Sequence, residues 1–259
     1  DSPYTHPPEL RDEIARLVVQ ENGKPFEEAR GEVWFSMGYF GWFAEEARRT
    51  YGEIVPSPFP NKRLWVLKQP IGVVGAVTPW NFPANMITRK IAPAMAAGCT
   101  VVLKPASATP LTALAIARAA HDAGLPPGVL NLVTSSGSRA IGEELLANPT
   151  VRKIGFTGST DVGKVLMEGA AKQLKRVSFE LGGNAPFIVL DDADLDAAVE
   201  GAVAIKYLRV GGQSCICANR IYVQQRIASG FIPAFVERVK ALKGGPGFEA
   251  GVQVGPLIN

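Results

Sequence analysis

Short apolar segments alternate with longer amphipathic segments along most of the chain, and this alternation constrains the fold more than any other feature. The apolar segments are continuous in hydrophobicity, which is typical of parallel strands covered on both faces. Strands are predicted at 73–77, 100–103, 130–133, 153–156 and 177–179, with helices at 84–97, 111–123, 138–147 and 162–172. The pattern predicts an α/β fold built on a doubly wound, Rossmann-like parallel sheet.

Further elements flank this predicted sheet. Helices are predicted at 8–23, 25–51 and 228–242, and strands at 63–68, 187–190 and 221–223. We predict one domain over residues 1–182, with an incomplete N-terminal part, and the start of a second α/β domain over residues 183–259. The second domain is expected to be cut short, because the chain stops in a loop-like segment before a sheet is complete.

Composition limits the possible partners. Hydrophobic residues make up 47% of the chain and charged residues 20%, which indicates a globular core. The net charge is only +3, without a basic run, so nucleic acid is disfavoured. No apolar stretch is long enough to cross a bilayer and no signal peptide is recognisable, so we expect no membrane partner and a cytoplasmic location.

The cysteines and histidines do not predict a metal site. Cys99, Cys215 and Cys217 are too few for a disulfide scaffold and suit a reducing compartment. His6 and His121 lie far apart and have no partner at metal-ligand spacing. A Cys-x-Cys pair can bind a metal, but no further ligands are within reach in the sequence.

Polar segments follow four of the predicted strands. In a doubly wound sheet, ligands bind outside the carboxyl ends of the strands, so these segments are expected to face one crevice. They span residues 78–83, 104–107, 156–160 and 180–183.

The segment from Gly158 through Gly163 to Lys164 nearly matches a phosphate-binding P-loop. That motif requires serine or threonine after the lysine to bind magnesium, and Val165 stands there, so a nucleotide triphosphatase is disfavoured. The glycines still allow a backbone to approach a pyrophosphate at a helix N-terminus. An ordinary glycine turn fits the residues equally well.

Gly212-Gln213-Ser214-Cys215 is a second candidate site. A lone cysteine is usually a small buried hydrophobe. A cysteine flanked by glycine and polar residues just ahead of a strand also fits an exposed nucleophile. The residues by themselves leave both interpretations open.

Five motifs in order along the chain carry a specific resemblance. They are Thr78-Pro79-Trp80-Asn81-Phe82-Pro83, Leu103-Lys104-Pro105-Ala106, Phe156-Thr157-Gly158-Ser159, Phe179-Glu180-Leu181-Gly182-Gly183-Asn184 and Gly212-Gln213-Ser214-Cys215. Together they resemble the aldehyde dehydrogenase superfamily, from about Glu9 to Asn259. The resemblance implies NAD(P)-dependent aldehyde oxidation, with an NAD(P)-binding domain over 1–182 and the start of the catalytic domain over 183–259.

The resemblance also implies catalytic roles. Cys215 would be the nucleophile that forms a thiohemiacetal and then a thioester. The side-chain amide of Asn81 and the backbone N–H of Cys215 would form an oxyanion hole. Glu180 would activate the water that releases the acid.

Cofactor binding is implied for a further set of residues. These are Thr78, Pro79, Trp80, Lys104, Ser107, Gly158, Ser159 and Leu181. Lys104 and Ser107 would hold the adenosine ribose. Serine at 107, where NAD-restricted members often carry glutamate, leaves room for a 2′-phosphate and favours NADP, with NAD also possible.

Within the superfamily the chain is most similar to succinate-semialdehyde dehydrogenases. Arg89 and Arg209 match arginines that bind the substrate carboxylate in those enzymes. Both could instead be solvated helix charges. Another small aldehyde as substrate, or an inactive truncated dinucleotide-binding fragment, is the alternative. The resemblance further implies a homodimeric or homotetrameric full-length parent and a possible disulfide between Cys215 and Cys217.

Overall fold

The computed structural model describes residues 8–259 and contains the predicted sheet. In chain order the strands are β1 (Glu53–Val55), β2 (Leu64–Val66), β3 (Val73–Val77), β4 (Thr100–Lys104), β5 (Leu130–Leu132), β6 (Val151–Thr157), β7 (Arg176–Glu180), β8 (Ala185–Val189) and β9 (Ala218–Val223). The helices are α1 (Pro8–Asn22), α2 (Phe26–Ala47), α3 (Pro83–Ala96), α4 (Pro110–Asp122), α5 (Ser138–Ala147), α6 (Thr160–Ala171), α7 (Leu195–Tyr207) and α8 (Gln225–Lys240).

Five parallel strands form the central sheet in the order β5-β4-β3-β6-β7. Helices α1 to α4 contribute to one hydrophobic core with Ala76, Val101 and Leu103 of the sheet. A second core contains Leu145 of α5 with Ile154 of β6. Apolar packing on both faces explains the continuous hydrophobicity of the strands, and the predicted α/β doubly wound fold is confirmed.

The segment before the sheet differs from the prediction. The helix predicted over 25–51 ends at Ala47, and the strand predicted over 63–68 shortens to β2. β2 pairs antiparallel with β1, a strand that the sequence reading missed. Both strands are exposed along their whole length, so no hydrophobic alternation marks them.

The two strands after β7 form a separate two-stranded sheet. β8 and β9 pair in parallel, and α7 and α8 pack around a core of Val189, Val199, Ala202 and Phe231. A division into domains at residues 182 and 183 remains a prediction. No helix within residues 8–259 is long and apolar enough to span a membrane.

Carboxylates from the first two helices cap the starts of the next two. Helices α3 and α4 begin with proline, and neither has a capping side chain of its own. Glu32 of α2 accepts a hydrogen bond from the Ala84 backbone N–H at 2.8 Å. Glu21 of α1 accepts one from Thr112 N–H at 2.9 Å. A negative charge at a helix N-terminus is stabilising. These contacts therefore anchor the starts of α3 and α4, which follow the loops after β3 and β4, to helices α2 and α1.

Candidate active site

The carboxyl ends of the central strands meet at one edge of the sheet. Val77 at the end of β3 is in register with Lys104 at the end of β4. Thr157 at the end of β6 is in register with Glu180 at the end of β7. Because the strands are parallel, the segments that follow them leave the sheet on the same side, as the sequence predicts.

Asn81 connects this edge to the loop that carries Cys215. Its side-chain amide nitrogen donates a hydrogen bond to the carbonyl oxygen of Gln213 at 3.0 Å. Its side-chain oxygen accepts one from the Phe82 backbone N–H, also at 3.0 Å. The amide nitrogen therefore faces the cysteine loop, and within residues 8–259 the second of its two hydrogens remains available as a donor.

Cys215 is partly exposed and lies between a 3-10 turn at Val210–Gly212 and β9. Its carbonyl oxygen is 4.0 Å from the position that a Cβ atom would occupy on Gly183. Gly183 follows closely after Glu180 in the chain. The loop after β7 therefore also reaches the cysteine loop, and the structure brings together the neighbourhoods of Asn81, Glu180 and Cys215.

Glu180 forms an ion pair with the predicted substrate ligand Arg89. The Glu180 Oε1 and Arg89 guanidinium nitrogen are 3.3 Å apart, with side chains 53% and 34% exposed. The two residues line a groove of about 430 Å³ against one face of the sheet, together with Lys90 of α3.

Lys90 is a residue of this groove that the sequence did not predict as functional. Its ammonium group donates a hydrogen bond to the Thr157 hydroxyl. Burial, with a smaller contribution from the positive charge of Arg89, lowers the pKa of Lys90 to about 8, while the charge of Glu180 opposes this shift. The available signal was a second basic residue directly after Arg89 on a helix whose neighbouring positions are buried.

Two of the predicted cofactor ligands, Thr78 and Lys104, lie side by side at the ends of β3 and β4. The Thr78 backbone N–H donates to the Lys104 carbonyl at 3.1 Å. The Thr78 hydroxyl is buried and has no hydrogen-bond partner within residues 8–259. Burial lowers the pKa of Lys104, a residue that is only 6% exposed. A buried hydroxyl without a partner and a desolvated ammonium group, at the ends of neighbouring strands, fit the approach of a polar, anionic ligand such as a phosphorylated cofactor.

Ser107 borders a separate cavity of about 270 Å³, next to Ser135. Its hydroxyl donates to the Ser135 carbonyl at 2.8 Å and lies 3.5 Å from the Ser138 hydroxyl at the start of α5. Ser107, Ser135 and Ser136 are among the residues that line this space, which a glutamate side chain at 107 would partly fill.

Packing within the protein explains both glycines of the P-loop-like segment, so a ligand is not needed to explain them. A Cβ atom on Gly158 would lie 2.4 Å from the Phe156 ring, and one on Gly163 would lie 2.6 Å from Leu181, a predicted cofactor contact. Ser159 caps α6 by accepting a hydrogen bond from the Val162 N–H at 3.4 Å. These contacts leave the choice between a pyrophosphate site and a glycine turn open.

The remaining predicted ligands lie in the two loops. Trp80 follows the half-buried Pro79, and its carbonyl accepts a hydrogen bond from the Asn22 side chain at 2.9 Å. Arg209 is exposed, and its carbonyl accepts from the Gly212 N–H at 2.9 Å. Within residues 8–259 the Arg209 guanidinium forms no ion pair. Arg209 is not among the residues that line the groove of Arg89 and Glu180.

The three cysteines are free thiols. Cys217 is 1% exposed, and its sulfur lies 3.5 Å from the Lys206 ammonium group. The Cys215–Cys217 disulfide remains a hypothesis. No group of three or more potential metal ligands occurs within residues 8–259, and His6 lies outside the described residues.

The fold is a doubly wound sheet, and a cysteine, an asparagine and a glutamate lie near the carboxyl ends of its strands. These features define a protein with a dinucleotide-binding type of fold and a candidate site for thiol chemistry. The chain belongs to the aldehyde dehydrogenase family, because a profile of that family matches residues 8–259. The membership that the five motifs predict is thereby confirmed.

Similar proteins include a probable succinate-semialdehyde dehydrogenase (NADP+) from Sinorhizobium fredii, 58% identical over 97% of this chain and 51% of that protein. A glutarate-semialdehyde dehydrogenase from Pseudomonas putida is 57% identical over 97% of this chain and 52% of its own. The crystal structure of an aldehyde dehydrogenase from Brucella melitensis biovar abortus superposes with a TM-score of 0.93 at 56% identity, covering 96% of this chain and 51% of that one. The chain spans about half the length of the curated relatives it matches.

Proposed function

We propose that this chain is part of an NAD(P)-dependent enzyme that oxidises an aldehyde to a carboxylic acid through a thioester on Cys215. The observation that carries the proposal is the 3.0 Å hydrogen bond from the Asn81 amide to the Gln213 carbonyl. It holds a side-chain donor next to the cysteine loop, at the edge of the sheet where β7 ends in Glu180.

In the first step the Cys215 thiolate adds to the aldehyde carbon, and the carbonyl oxygen takes up the negative charge. The free N–H of the Asn81 amide and the Cys215 backbone N–H donate hydrogen bonds to that oxygen. The nicotinamide cofactor, when bound, supplies the hydride acceptor. As the C=O bond reforms, hydride leaves the carbon with its electron pair, and a thioester remains on Cys215.

Hydrolysis of the thioester requires a base. Glu180 accepts a proton from water, the water oxygen attacks the thioester carbon, and the C–S bond breaks to return the thiolate. Glu180 sits in the same groove as Lys90, whose lowered pKa of about 8 makes it a second group able to exchange a proton near neutral pH.

NADP is the favoured cofactor, and NAD is also possible. Support comes from the buried Thr78 hydroxyl, which has no partner within residues 8–259, from the buried Lys104 at the end of the neighbouring strand, and from the small hydroxyl-lined cavity at Ser107. Pro79 and Trp80 lie in the loop that begins at Thr78. Gly158, Ser159 and Leu181 follow the ends of β6 and β7, from which they could face the pyrophosphate.

The proposed substrate is a semialdehyde with a distal carboxylate, most similar to succinate semialdehyde. The names of two similar relatives support this class, and Arg89 lies in the groove with Glu180. Arg209 is the second proposed carboxylate ligand. Another small aldehyde is the alternative. We also propose residues 1–182 as the NAD(P)-binding domain, residues 183–259 as part of the catalytic domain, and a cytoplasmic homo-oligomer as the assembly.

The test is reduction of NADP by succinate semialdehyde with the purified protein, both as the 259-residue chain and as any longer chain that contains it. Parallel reactions use NAD, glutarate semialdehyde and a neutral aldehyde, with Cys215→Ala as control. We expect turnover that disappears in the control. Turnover that persists in Cys215→Ala would disprove the thioester route, and turnover with neutral aldehydes only would disprove the substrate class.

A further inference from the structure

Two carboxylates one helical turn apart on α2 each hold one loop of the candidate active site. Glu28 accepts a hydrogen bond from the Val210 backbone N–H at 2.8 Å, at the start of the loop that leads to Cys215. Glu32 accepts hydrogen bonds at the start of α3, including one from the Ala84 N–H at 2.8 Å. Side chains four residues apart lie on the same face of a helix, so one rigid element contacts both loops.

The Glu32 contact extends to the backbone of Asn81 through a buried lysine. Glu32 forms an ion pair with Lys24, and the two side chains are 2% and 0% exposed. The Lys24 ammonium group donates a further hydrogen bond to the Asn81 carbonyl at 2.8 Å and lies 4.3 Å from the centre of the Phe82 ring. This network fixes the peptide that carries the Asn81 amide.

The Glu28 contact supports a strained turn. Val210 has φ of +51°, in the left-handed region that a β-branched residue rarely adopts. Gly211 and Gly212 follow with φ of +59° and +84°. The turn leads directly to Gln213, whose carbonyl accepts the Asn81 hydrogen bond. Such strain persists only where surrounding contacts over-determine the conformation, and Glu28 supplies one of them.

We propose that Glu28 and Glu32 are positioning residues, which set the Cys215 loop and the Asn81 loop at a fixed separation from a common base on α2. This inference rests on the proposed function. Hydrogen-bond donors stabilise a developing oxyanion best when they are already in place before the reaction. The helix provides that placement through hydrogen bonds from its two side chains to backbone N–H groups of the two loops.

The first test compares kcat and KM for aldehyde oxidation in Glu28→Ala and Glu28→Gln. Glu28→Ala removes the acceptor for the Val210 N–H, and we expect kcat to fall about 10- to 100-fold, because small misplacements of reacting groups have effects of this size. KM for a neutral aldehyde and the cofactor affinity should change less than about threefold, since neither depends on Arg209, the proposed carboxylate ligand next to Val210. Glu28→Gln keeps an accepting oxygen and should restore most of the rate.

Glu27→Gln is the matched control, because its side chain is 79% exposed on the same helix. We expect wild-type kinetics. Loss of activity in Glu28→Ala that follows loss of folded protein, or a Glu28→Gln variant as slow as Glu28→Ala with an unchanged melting temperature, would overturn the role assigned to Glu28.

The second test is a double-mutant cycle between Glu32→Gln and Asn81→Ala. If Glu32 acts through Asn81, its effect should shrink to less than about twofold when Asn81 is already alanine. A general structural role predicts that the two losses multiply, which would overturn the proposal. Should the unpaired Lys24 prevent Glu32→Gln from folding, Lys24→Met combined with Glu32→Gln removes both buried charges and replaces it in the cycle.

A cofactor-free reaction separates this inference from the proposed function. Acylation of Cys215 by p-nitrophenyl acetate forms an oxyanion at the same place without hydride transfer. A wild-type protein that is acylated but oxidises no aldehyde would disprove the proposed function alone. Wild-type acylation rates in Glu28→Ala and in the Glu32 variant would disprove the positioning role alone, and a wild-type protein that does neither reaction would disprove both.

Discussion

The Arg89 guanidinium lies 3.3 Å from the Glu180 carboxylate, so the proposed substrate ligand and the proposed base form an ion pair with each other. The pair is partly exposed and of low stability, because solvent screens it. A substrate carboxylate would compete with Glu180 for the same guanidinium. Binding of a carboxylated substrate would then release Glu180 from its partner before hydrolysis needs it.

Replacement of Arg89 should therefore affect carboxylated substrates selectively. We expect Arg89→Gln to raise KM for succinate semialdehyde about 10- to 100-fold, since a charge-assisted hydrogen bond is lost, and to change KM for butanal little. Steady-state kinetics with both aldehydes measures the ratio. Arg139→Gln is the control, since Arg139 is 92% exposed and pairs with the exposed Glu143. An equal rise for both aldehydes would contradict a carboxylate-binding role.

Glu180 should be needed for hydrolysis more than for hydride transfer. In Glu180→Gln we expect a pre-steady-state burst of NADPH equivalent to one turnover per site, followed by a steady state slowed about 100-fold or more. Stopped-flow absorbance measures both phases. If the burst also disappears, Glu180 acts before the thioester forms, and its assignment as the hydrolytic base is wrong.

The residue at position 107 should set cofactor preference. We expect Ser107→Glu to lower kcat/KM for NADP about 100-fold while NAD is affected much less, because a carboxylate in the Ser107 cavity repels a 2′-phosphate and accepts hydrogen bonds from ribose hydroxyls. Kinetics with the two cofactors at low ionic strength measures the change. Ser136→Glu, in the same cavity lining, is the comparison variant. If the ratio of kcat/KM for NADP to kcat/KM for NAD is unchanged in Ser107→Glu, the adenosine ribose does not bind at Ser107.

Lys90 should make stability depend on pH in the alkaline range. Its pKa is about 8 in the folded protein, below the ordinary value near 10.4 of an unfolded chain. Between these values the unfolded state binds more protons, so this group makes the folded state more stable as pH rises. Below about pH 8 both states are protonated, and the contribution is constant.

The measurement is the melting temperature from pH 7 to 10 in wild type and in Lys90→Met. We expect the difference between wild type and the variant to shift in favour of wild type as pH rises through 8. A difference that stays constant across this range would show that the ammonium group of Lys90 is not desolvated in the folded protein.

Hydrophobic periodicity by itself determined the sheet. Continuous apolar segments separated by amphipathic ones have few folded solutions other than parallel strands covered by helices, and β3 and α5 have the bounds that the pattern predicts. The edge where ligands bind followed from the same pattern, because parallel strands all end on one side. The exposed hairpin of β1 and β2 was only half recognised, since its strands bury no side chain and carry no periodic signal.

Only the tertiary structure decided which side chains meet across long separations in sequence. Lys24, Glu28 and Glu32 read as ordinary charges near a helix start, yet they contact the backbone at Asn81, Val210 and Ala84. Arg89 and Glu180 lie on different elements that become neighbours when α3 packs against the sheet. Local sequence sets the elements through hydrophobic burial and backbone sterics, whereas hydrogen bonds between distant residues depend on how those elements pack.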